Sequence, residues 1–124
     1  SLDCAAESLA KCTGHAVIVC DESNYLSAAG VNSKELVGNK ISKAVEELLS
    51  KKKTLVVNRS EGGAPIDLIG GDRLNFANQL FMPIKSCEEI IGGLIVADKT
   101  KDSPITSSDI NLAMLTAEFI AAHF

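Results

Sequence analysis

The chain reads GHAVIVCD at residues 14–21. Within this stretch, the apolar run Ala16–Cys20 is short, uninterrupted and rich in β-branched residues, which favours a strand covered on both faces. Apolar and small residues recur at helical spacing over Leu2–Thr13, and Gly14 then supplies a stop signal. The sequence therefore predicts a helix followed directly by a buried strand.

Outward from this strand, the following residues predict a hairpin and a helix. A polar turn at residues 21–24 leads to a second strand, Tyr25–Ala29, so the two strands should pair. Ser33 can cap a single helical turn that ends before Gly38. An apolar stripe with the spacing of an amphipathic helix comes next, and this helix should cover one sheet face. The stripe comprises Ile41, Ala44, Val45, Leu48 and Leu49.

A long loop is predicted in the middle of the chain. Residues 55–57 form a short third strand, and residues 59–73 then carry four glycines and a proline. A connection of about fifteen residues is long for a compact domain, and such loops are usually functional or mobile. This loop is therefore a candidate for the functional site.

Two further strands follow the loop. Residues 76–84 predict the fourth strand, in which Pro83 cannot donate to a ladder and so marks an edge or an irregularity. Residues 90–97 are apolar on both faces, which predicts a central strand. Gly92 and Gly93 should let a backbone or a bulky side chain approach this strand closely.

The last helix is predicted to run to Phe124 from a capping pattern formed by Thr106 and Asp109. Its apolar residues cover more than one stripe, so a single sheet face cannot bury them all. The first helix is one candidate partner, and a second subunit is another. The sequence predicts a homo-oligomer through the terminal helices. The expected interface residues are Leu2, Leu9, Leu112, Leu115 and Phe119.

The order of these elements predicts an α+β fold. We expect an antiparallel sheet sandwiched between helices, with the N- and C-terminal helices on one face and the middle helix on the other. At 124 residues the chain has the length of a single domain, spanning residues 1–124.

The net charge and the cysteines restrict the partners and the compartment that the chain can have. The formal net charge is -4, so the surface should repel nucleic-acid phosphates rather than attract them. The four cysteines form no Cys-x-x-Cys pair, which fits reduced thiols in a cytoplasmic protein. No apolar stretch reaches the roughly 20 residues of a membrane span. The chain opens at Ser1, and we expect that an upstream portion is missing.

Several motifs resemble a known family. Residues 14–21 and 39–42, together with Tyr25 and Gly30, are similar to the GAF-type C-terminal half found in the stage V sporulation protein T family. Residues 91–96 resemble the last strand of many GAF domains. The resemblance spans almost the whole chain and is weakest over the loop at residues 59–73. It implies a GAF-like fold and a sensor role in transcriptional regulation during sporulation.

The resemblance also implies partners and a ligand pocket. Members carry a DNA-binding module N-terminal to the GAF half, so DNA contact is expected only through a module that this chain lacks. GAF pockets lie between the sheet and the middle helix, and an unknown small effector would bind there. The matching positions are Tyr25, Ser27, Ile41, Val45, Asn58, Arg59, Asp67, Asp72 and Arg73.

The roles of these residues stay open at this point. Arg59 and Arg73 are the only arginines and would suit a carboxylate or phosphate group, although both could equally be solvated loop residues. Tyr25 could stack on a ligand or lie half-buried with its hydroxyl at the sheet edge. His15 is expected to bond to backbone rather than to a metal. We therefore expect neither metal nor cofactor.

Two alternatives to an effector sensor remain. The first is a GAF-like scaffold that only dimerises. The second is a thiol-dependent methionine sulfoxide reductase, because one GAF-fold branch uses pocket cysteines for that reaction. Cys4 and Cys12 lie on the first helix and Cys20 ends a buried strand, which disfavours reactive thiols. No catalytic residue is assigned, and we expect a protein that is not an enzyme.

Overall fold

The computed structural model describes residues 1–71 and 74–124. Its helices and strands follow the order expected from the sequence. In chain order they are α1 (Leu2–Thr13), β1 (Ala16–Cys20), β2 (Tyr25–Ala29), α2 (Ser33–Leu36), α3 (Lys43–Lys51), β3 (Leu55–Asn58), a 3-10 turn (Arg59–Glu61), β4 (Asn78–Ser86), β5 (Glu89–Asp98) and α4 (Ser107–His123).

The five strands form one antiparallel sheet in the order β2-β1-β5-β4-β3. Strand β5 is central, as its two apolar faces predicted. The close approach expected at its glycines is present, because a Cβ atom on Gly92 would lie 2.1 Å from the carbonyl oxygen of Cys20. A Cβ atom on Gly93 would lie 2.8 Å from the Phe81 ring. Side chains at these two positions would push β1 and β4 away from β5.

The sheet carries a separate apolar core on each face. One core joins α1 and α4 to the sheet through Leu9, Val17, Leu94 and Ile120. The other joins α3 and the long loop to the opposite face. The predicted fold class is confirmed: the chain is an α+β sandwich with both terminal helices on one face.

Polar caps set the helix boundaries. The Ser42 side chain accepts a hydrogen bond from the backbone N–H of Val45, so α3 begins at Lys43. Ile41 therefore precedes the helix instead of belonging to it, although it remains buried in the same core. Thr106 and Asp109 form the predicted capping box at the start of α4.

Strand β2 contains a bulge that changes which face its side chains occupy. Val19 pairs with Ser27, and the next residue of β1, Cys20, pairs with Tyr25, so Leu26 is the extra residue. Because side chains alternate across a strand, one extra residue reverses the alternation. Tyr25 consequently joins the α3-side core, whereas the Ser27 hydroxyl donates a hydrogen bond to Asp3 of α1 on the other face.

The fourth strand begins two residues later than predicted, at Asn78, and pairs with β3 over residues 78–81. Pro83 lies beyond that pairing, so its missing N–H removes no bond to β3, as the sequence suggested. The hairpin between β4 and β5 turns at Cys87 and Glu88, both of which adopt positive φ. None of the helices in the described residues combines the length and apolar content that a membrane span requires.

Candidate functional site

The space between α3 and the sheet is almost completely filled. A cavity of only about 10 Å³ remains there, which is at the lower limit for one water molecule. It is lined by Val45 of α3, by Phe81 of β4 and by the loop residues Ile66 and Leu68, among others. The region in which an effector pocket was expected is therefore occupied by the protein's own loop.

A second cavity, of about 220 Å³, is lined by the same two loop residues. It is bounded by the loop and by the residues that lead into β4. Its lining residues are Arg59, Pro65, Ile66, Asp67, Leu68, Leu74, Asn75 and Phe76. Of the predicted site residues, this cavity brings together Arg59 and Asp67. Asp72 and Arg73 lie outside the described residues.

Arg59 is positioned by the start of the loop. Strand β3 ends at Asn58, and the backbone N–H of Arg59 donates to Oδ1 of the buried Asn78 at 3.0 Å. This bond fixes the backbone while the guanidinium group stays exposed. A planar guanidinium at the rim of a cavity can bind a carboxylate or phosphate through two parallel hydrogen bonds.

Tyr25 is buried rather than half-exposed, with 1% of its surface accessible. Its hydroxyl donates to the backbone carbonyl of Leu68 at 2.6 Å, and burial raises the pKa of the hydroxyl well above its ordinary value. The side chain is therefore a neutral donor that holds the loop. Its ring lies in the α3-side core, although β2 is an edge strand of the sheet.

The other predicted pocket residues are dispersed. Ser27 lies on the terminal-helix face because of the bulge in β2, so it cannot line a pocket with Tyr25. Asn58 is buried and exchanges two hydrogen bonds with the backbone of Ile105, at 2.9 and 3.1 Å, which tie β3 to the segment before α4. Ile41 and Val45 belong to the core, and only Val45 borders the closed space under α3.

Gln79 holds the loop and was not anticipated from the sequence. Its side chain accepts a hydrogen bond from the N–H of Ile66 and donates one to the carbonyl of the same residue, both at 2.7 Å. The amide thus bonds Ile66 in the way that a neighbouring strand would. Two neighbouring amides, Asn78 and Gln79, in an otherwise apolar run at residues 76–84 were the available signal, because a buried amide needs partners for both ends.

A second unanticipated cluster surrounds His15, which is 7% exposed. Its Nδ1 lies 2.8 Å from Oδ2 of Asp98, and its Nε2 lies 2.9 Å from Oδ2 of Asp109. The expectation that His15 bonds to backbone through its ring was wrong. Burial by itself lowers the pKa of the ring, but the two carboxylates outweigh burial and raise the pKa above 6.5.

This cluster ties three elements together. His15 precedes β1, Asp98 ends β5, and Asp109 caps α4 by accepting from the N–H of Thr106 at 2.9 Å. Within residues 1–71 and 74–124, no three His, Cys, Asp or Glu side chains are arranged to hold a metal ion. We therefore interpret the cluster as a buried ion pair that fixes α4 against the sheet.

The cysteines lie apart from the open cavity. Cys20 is buried at the end of β1, and burial raises the pKa of its thiol to about 12. Cys4 and Cys12 are exposed on α1, and Cys87 is exposed in the β4–β5 turn. None of the four is among the described residues that line the 220 Å³ cavity.

Helix α4 buries two alanines and an isoleucine and leaves several large apolar side chains exposed. Ala113, Ala117 and Ile120 face the sheet, so the helix packs close to it. Leu115 and Phe119, by contrast, are 69% and 52% exposed. Leu112 is also exposed, and Leu2 of α1 is half-buried. Leu9 is buried within the protomer, so the prediction that it lies at a subunit interface was wrong.

The chain is similar to known proteins in sequence and in fold. A family model described as "Stage V sporulation protein T C-terminal, transcription factor" matches residues 4–124. The chain belongs to this family. The resemblance noted in the sequence is thereby confirmed, and the chain is assigned as a regulatory domain of a transcription factor. No curated protein sequence matches it.

Solved structures support the fold assignment. The GAF domain of Acinetobacter phosphoenolpyruvate-protein phosphotransferase has a TM-score of 0.78 at 12% identity, over 98% of this chain and 78% of that one. The cofactor-binding GAF domain of the nutrient sensor CodY from Clostridium difficile has a TM-score of 0.73 at 16% identity, over 99% and 83%. Type II free methionine-R-sulfoxide reductase from Thermoplasma acidophilum has a TM-score of 0.72 at 12% identity, over 98% and 87%. These identities show a shared GAF fold alone.

Proposed function

We propose that this chain is the effector-binding, oligomer-forming sensor domain of a sporulation-type transcription regulator and has no catalytic activity of its own. The open cavity beside Arg59 is the observation that carries the proposal of effector binding. The CodY GAF domain, which shares the fold, is described as cofactor-binding in a nutrient sensor. DNA is contacted through a module outside these residues, because the net charge of -4 disfavours binding to phosphates. We place the protein in the cytoplasm.

The cavity suits a small anionic effector. At about 220 Å³ it is smaller than most pockets for drug-sized molecules, so a compact metabolite fits best. Arg59 offers a guanidinium group at the rim, and the apolar side chains of Leu68, Leu74 and Phe76 line the same cavity. An effector with one carboxylate or phosphate and an apolar part matches this lining.

Ligand-induced stabilisation tests this proposal. A panel of carboxylate and phosphate metabolites is added to three proteins: the native chain, Arg59→Gln and a control variant, Lys53→Gln. Lys53 is an exposed residue that follows α3. An effector at a hundredfold its dissociation constant should raise the free energy of unfolding by about 2.7 kcal/mol. The gain should be lost in Arg59→Gln and retained in Lys53→Gln. If no metabolite of the panel stabilises the native chain, a scaffold that only dimerises is favoured.

The second part of the proposal, oligomer formation, rests on the exposed surface of α4. Leu112, Leu115 and Phe119 recur at spacings of three and four residues and form one exposed apolar stripe. Exposed apolar surface of this kind usually marks a protein interface. We propose that α4 pairs with α4 of a second copy. Sedimentation at micromolar concentration should show a dimer, and a monomer alone would contradict the proposal.

A reductase activity is not favoured by the position of the cysteines. The thiol of Cys20 is protonated at neutral pH, because its pKa is about 12, and the exposed cysteines lie away from the cavity. The native chain and a Cys20→Ser/Cys87→Ser variant should both leave free methionine sulfoxide unchanged in the presence of dithiothreitol. Turnover by the native chain that disappears in the variant would replace the sensor proposal with an enzyme.

A further inference from the structure

The loop residues 66–68 form a partition between two spaces. Ile66 and Leu68 line both the 220 Å³ cavity and the 10 Å³ cavity under α3, so the two spaces meet at these residues. Leu68 is 3% exposed and belongs to the α3-side core. If these residues moved away, the two cavities would become one pocket that reaches Val45 and Phe81.

The partition is held mainly by side chains rather than by a strand ladder. Gln79 bonds both backbone groups of Ile66, and the carbonyl of Leu68 accepts from the hydroxyl of Tyr25 at 2.6 Å and from the N–H of Ser42 at 3.1 Å. The residues that hold the loop are all fixed in or beside the core. Two of the four bonds converge on one carbonyl oxygen. A ligand with an oxygen in that position could accept the same two bonds.

Glycines on both sides of the partition allow it to move as a unit. Gly62 precedes it with φ 80°, and Gly70 and Gly71 follow it with φ 88° and 75°. A residue without Cβ crosses between left- and right-handed backbone conformations at little cost. Strands β3 and β4 pair with each other outside these glycines, so the partition can leave without breaking the sheet.

We propose that residues 66–68 are an internal plug that the effector displaces. This inference rests on the proposed function and adds the chemistry of the ligand. The ligand carries an aliphatic group the size of a leucine side chain, which takes the place of Leu68 against Val45 and Phe81. It also carries a carbonyl or carboxylate oxygen, which accepts the hydrogen bonds of Tyr25 and Ser42.

A peptide supplied separately tests whether the space behaves as a binding site. The probe is acetyl-Ile-Asp-Leu-amide, added to an Ile66→Ser/Leu68→Ser variant of the full chain. At ten times its dissociation constant the probe should raise the melting temperature of the variant by roughly 5 °C. The native chain should not respond, because its own plug competes at an effective concentration of millimolar or more. No response in the variant to acetyl-Ile-Asp-Leu-amide, or an equal response to acetyl-Ser-Asp-Ser-amide, would overturn the inference.

A milder pair of variants covers the case in which the double variant does not fold. Tyr25→Phe removes the hydroxyl that holds Leu68, and Ser27→Ala removes a hydroxyl from the same strand on the opposite face. Amide hydrogen exchange at residues 66–68 should be about tenfold faster in Tyr25→Phe and unchanged in Ser27→Ala. Equal exchange rates in the two variants would contradict a plug held by Tyr25.

The same exchange measurement separates this inference from the proposed function. If a metabolite stabilises the native chain and accelerates amide exchange at residues 66–68, both the sensor proposal and the plug are supported. If it stabilises the chain while exchange there stays unchanged or slows, the sensor proposal stands and the plug is wrong. If no metabolite binds but the probe stabilises the double variant, the space under α3 accepts an aliphatic group, but both the sensor proposal and the displacement of the plug by an effector fail.

Discussion

The two faces of the sheet are built differently. On the terminal-helix face, α1 and α4 are long and regular, and the buried cluster of His15, Asp98 and Asp109 joins α4 to the sheet. On the opposite face, the nine-residue α3 covers only part of the sheet. A loop held by Gln79 and Tyr25 completes that face.

This difference suggests a division of labour. Local stability follows buried contacts and ladder hydrogen bonds, so the loop on the α3 face should open more readily than α1 or α4. Ligand-responsive elements are drawn from such low-stability parts. The terminal-helix face has a packed core inside and exposed apolar side chains on α4 outside, which suits a subunit contact. We therefore expect the α3 face to sense and the terminal-helix face to assemble.

The largest expected effect concerns the ion pair of the terminal-helix face. His15→Ala leaves two carboxylates without their buried partner, so the free energy of unfolding should fall by about 3 kcal/mol. The matched control is His123→Ala in the last turn of α4, where the side chain is exposed and stacks on Phe119. Urea unfolding at pH 6 measures the free energy of unfolding of both variants. Equal losses in the two variants would mean that His15 does not hold this face together.

The next largest effect concerns assembly. Leu115→Asp places a charge in the centre of the exposed stripe on α4, so the dissociation constant of a dimer should rise about 30-fold, or ~2 kcal/mol. Val37→Asp is the control, because Val37 is 43% exposed and follows α2, away from α4. Sedimentation velocity over a concentration series measures both. A weaker dimer in Val37→Asp alone would move the interface to the other face.

A smaller effect should distinguish the loop from the helices of the same molecule. Gln79→Leu removes two hydrogen bonds to Ile66 while keeping a similar volume. Exchange of the amides at residues 66–68 should accelerate about tenfold, which corresponds to roughly 1.4 kcal/mol of local stability. Exchange within α4 should change little. Uniform acceleration across both faces would show that the loop opens only by global unfolding.

The smallest effect is a dependence on pH that arises from His15. Its folded-state pKa is raised above 6.5, so its contribution to stability is complete below pH 6.5 and is lost as the pH rises through the folded pKa. The free energy difference between the native chain and His15→Gln should therefore shrink between pH 6 and pH 8.5. Urea unfolding across this range measures it. A difference that stays constant or grows would contradict a protonated His15.

The elements were predictable because their signals are local. The bounds of α1, β1 and β2 match the predictions residue by residue, and the capping box of α4 is present. The start of α3 was placed too early, because Ile41 continues the apolar spacing although Ser42 caps the helix after it. An apolar stripe reports burial, and burial does not require that every residue of the stripe be helical.

The site was predictable only in part. Arg59 and Asp67 do meet at one cavity, since both belong to the same loop. Tyr25 and Ser27, spaced like neighbours on one strand face, were separated by a bulge that has no sequence signature here. The bonds that Gln79 and Asp98 make were missed, because their partners lie elsewhere in the chain.

The sequence alone determined the order of the helices and strands and the antiparallel sandwich, since periodicity, caps and turn residues act over a few positions. The resemblance to the family was carried by the motifs at residues 14–21 and 39–42. Tertiary structure alone decided that the loop fills the space under α3 and that His15 meets two carboxylates 83 and 94 residues away. Contacts of that separation depend on how the packed elements align, and no local pattern along the chain encodes that alignment.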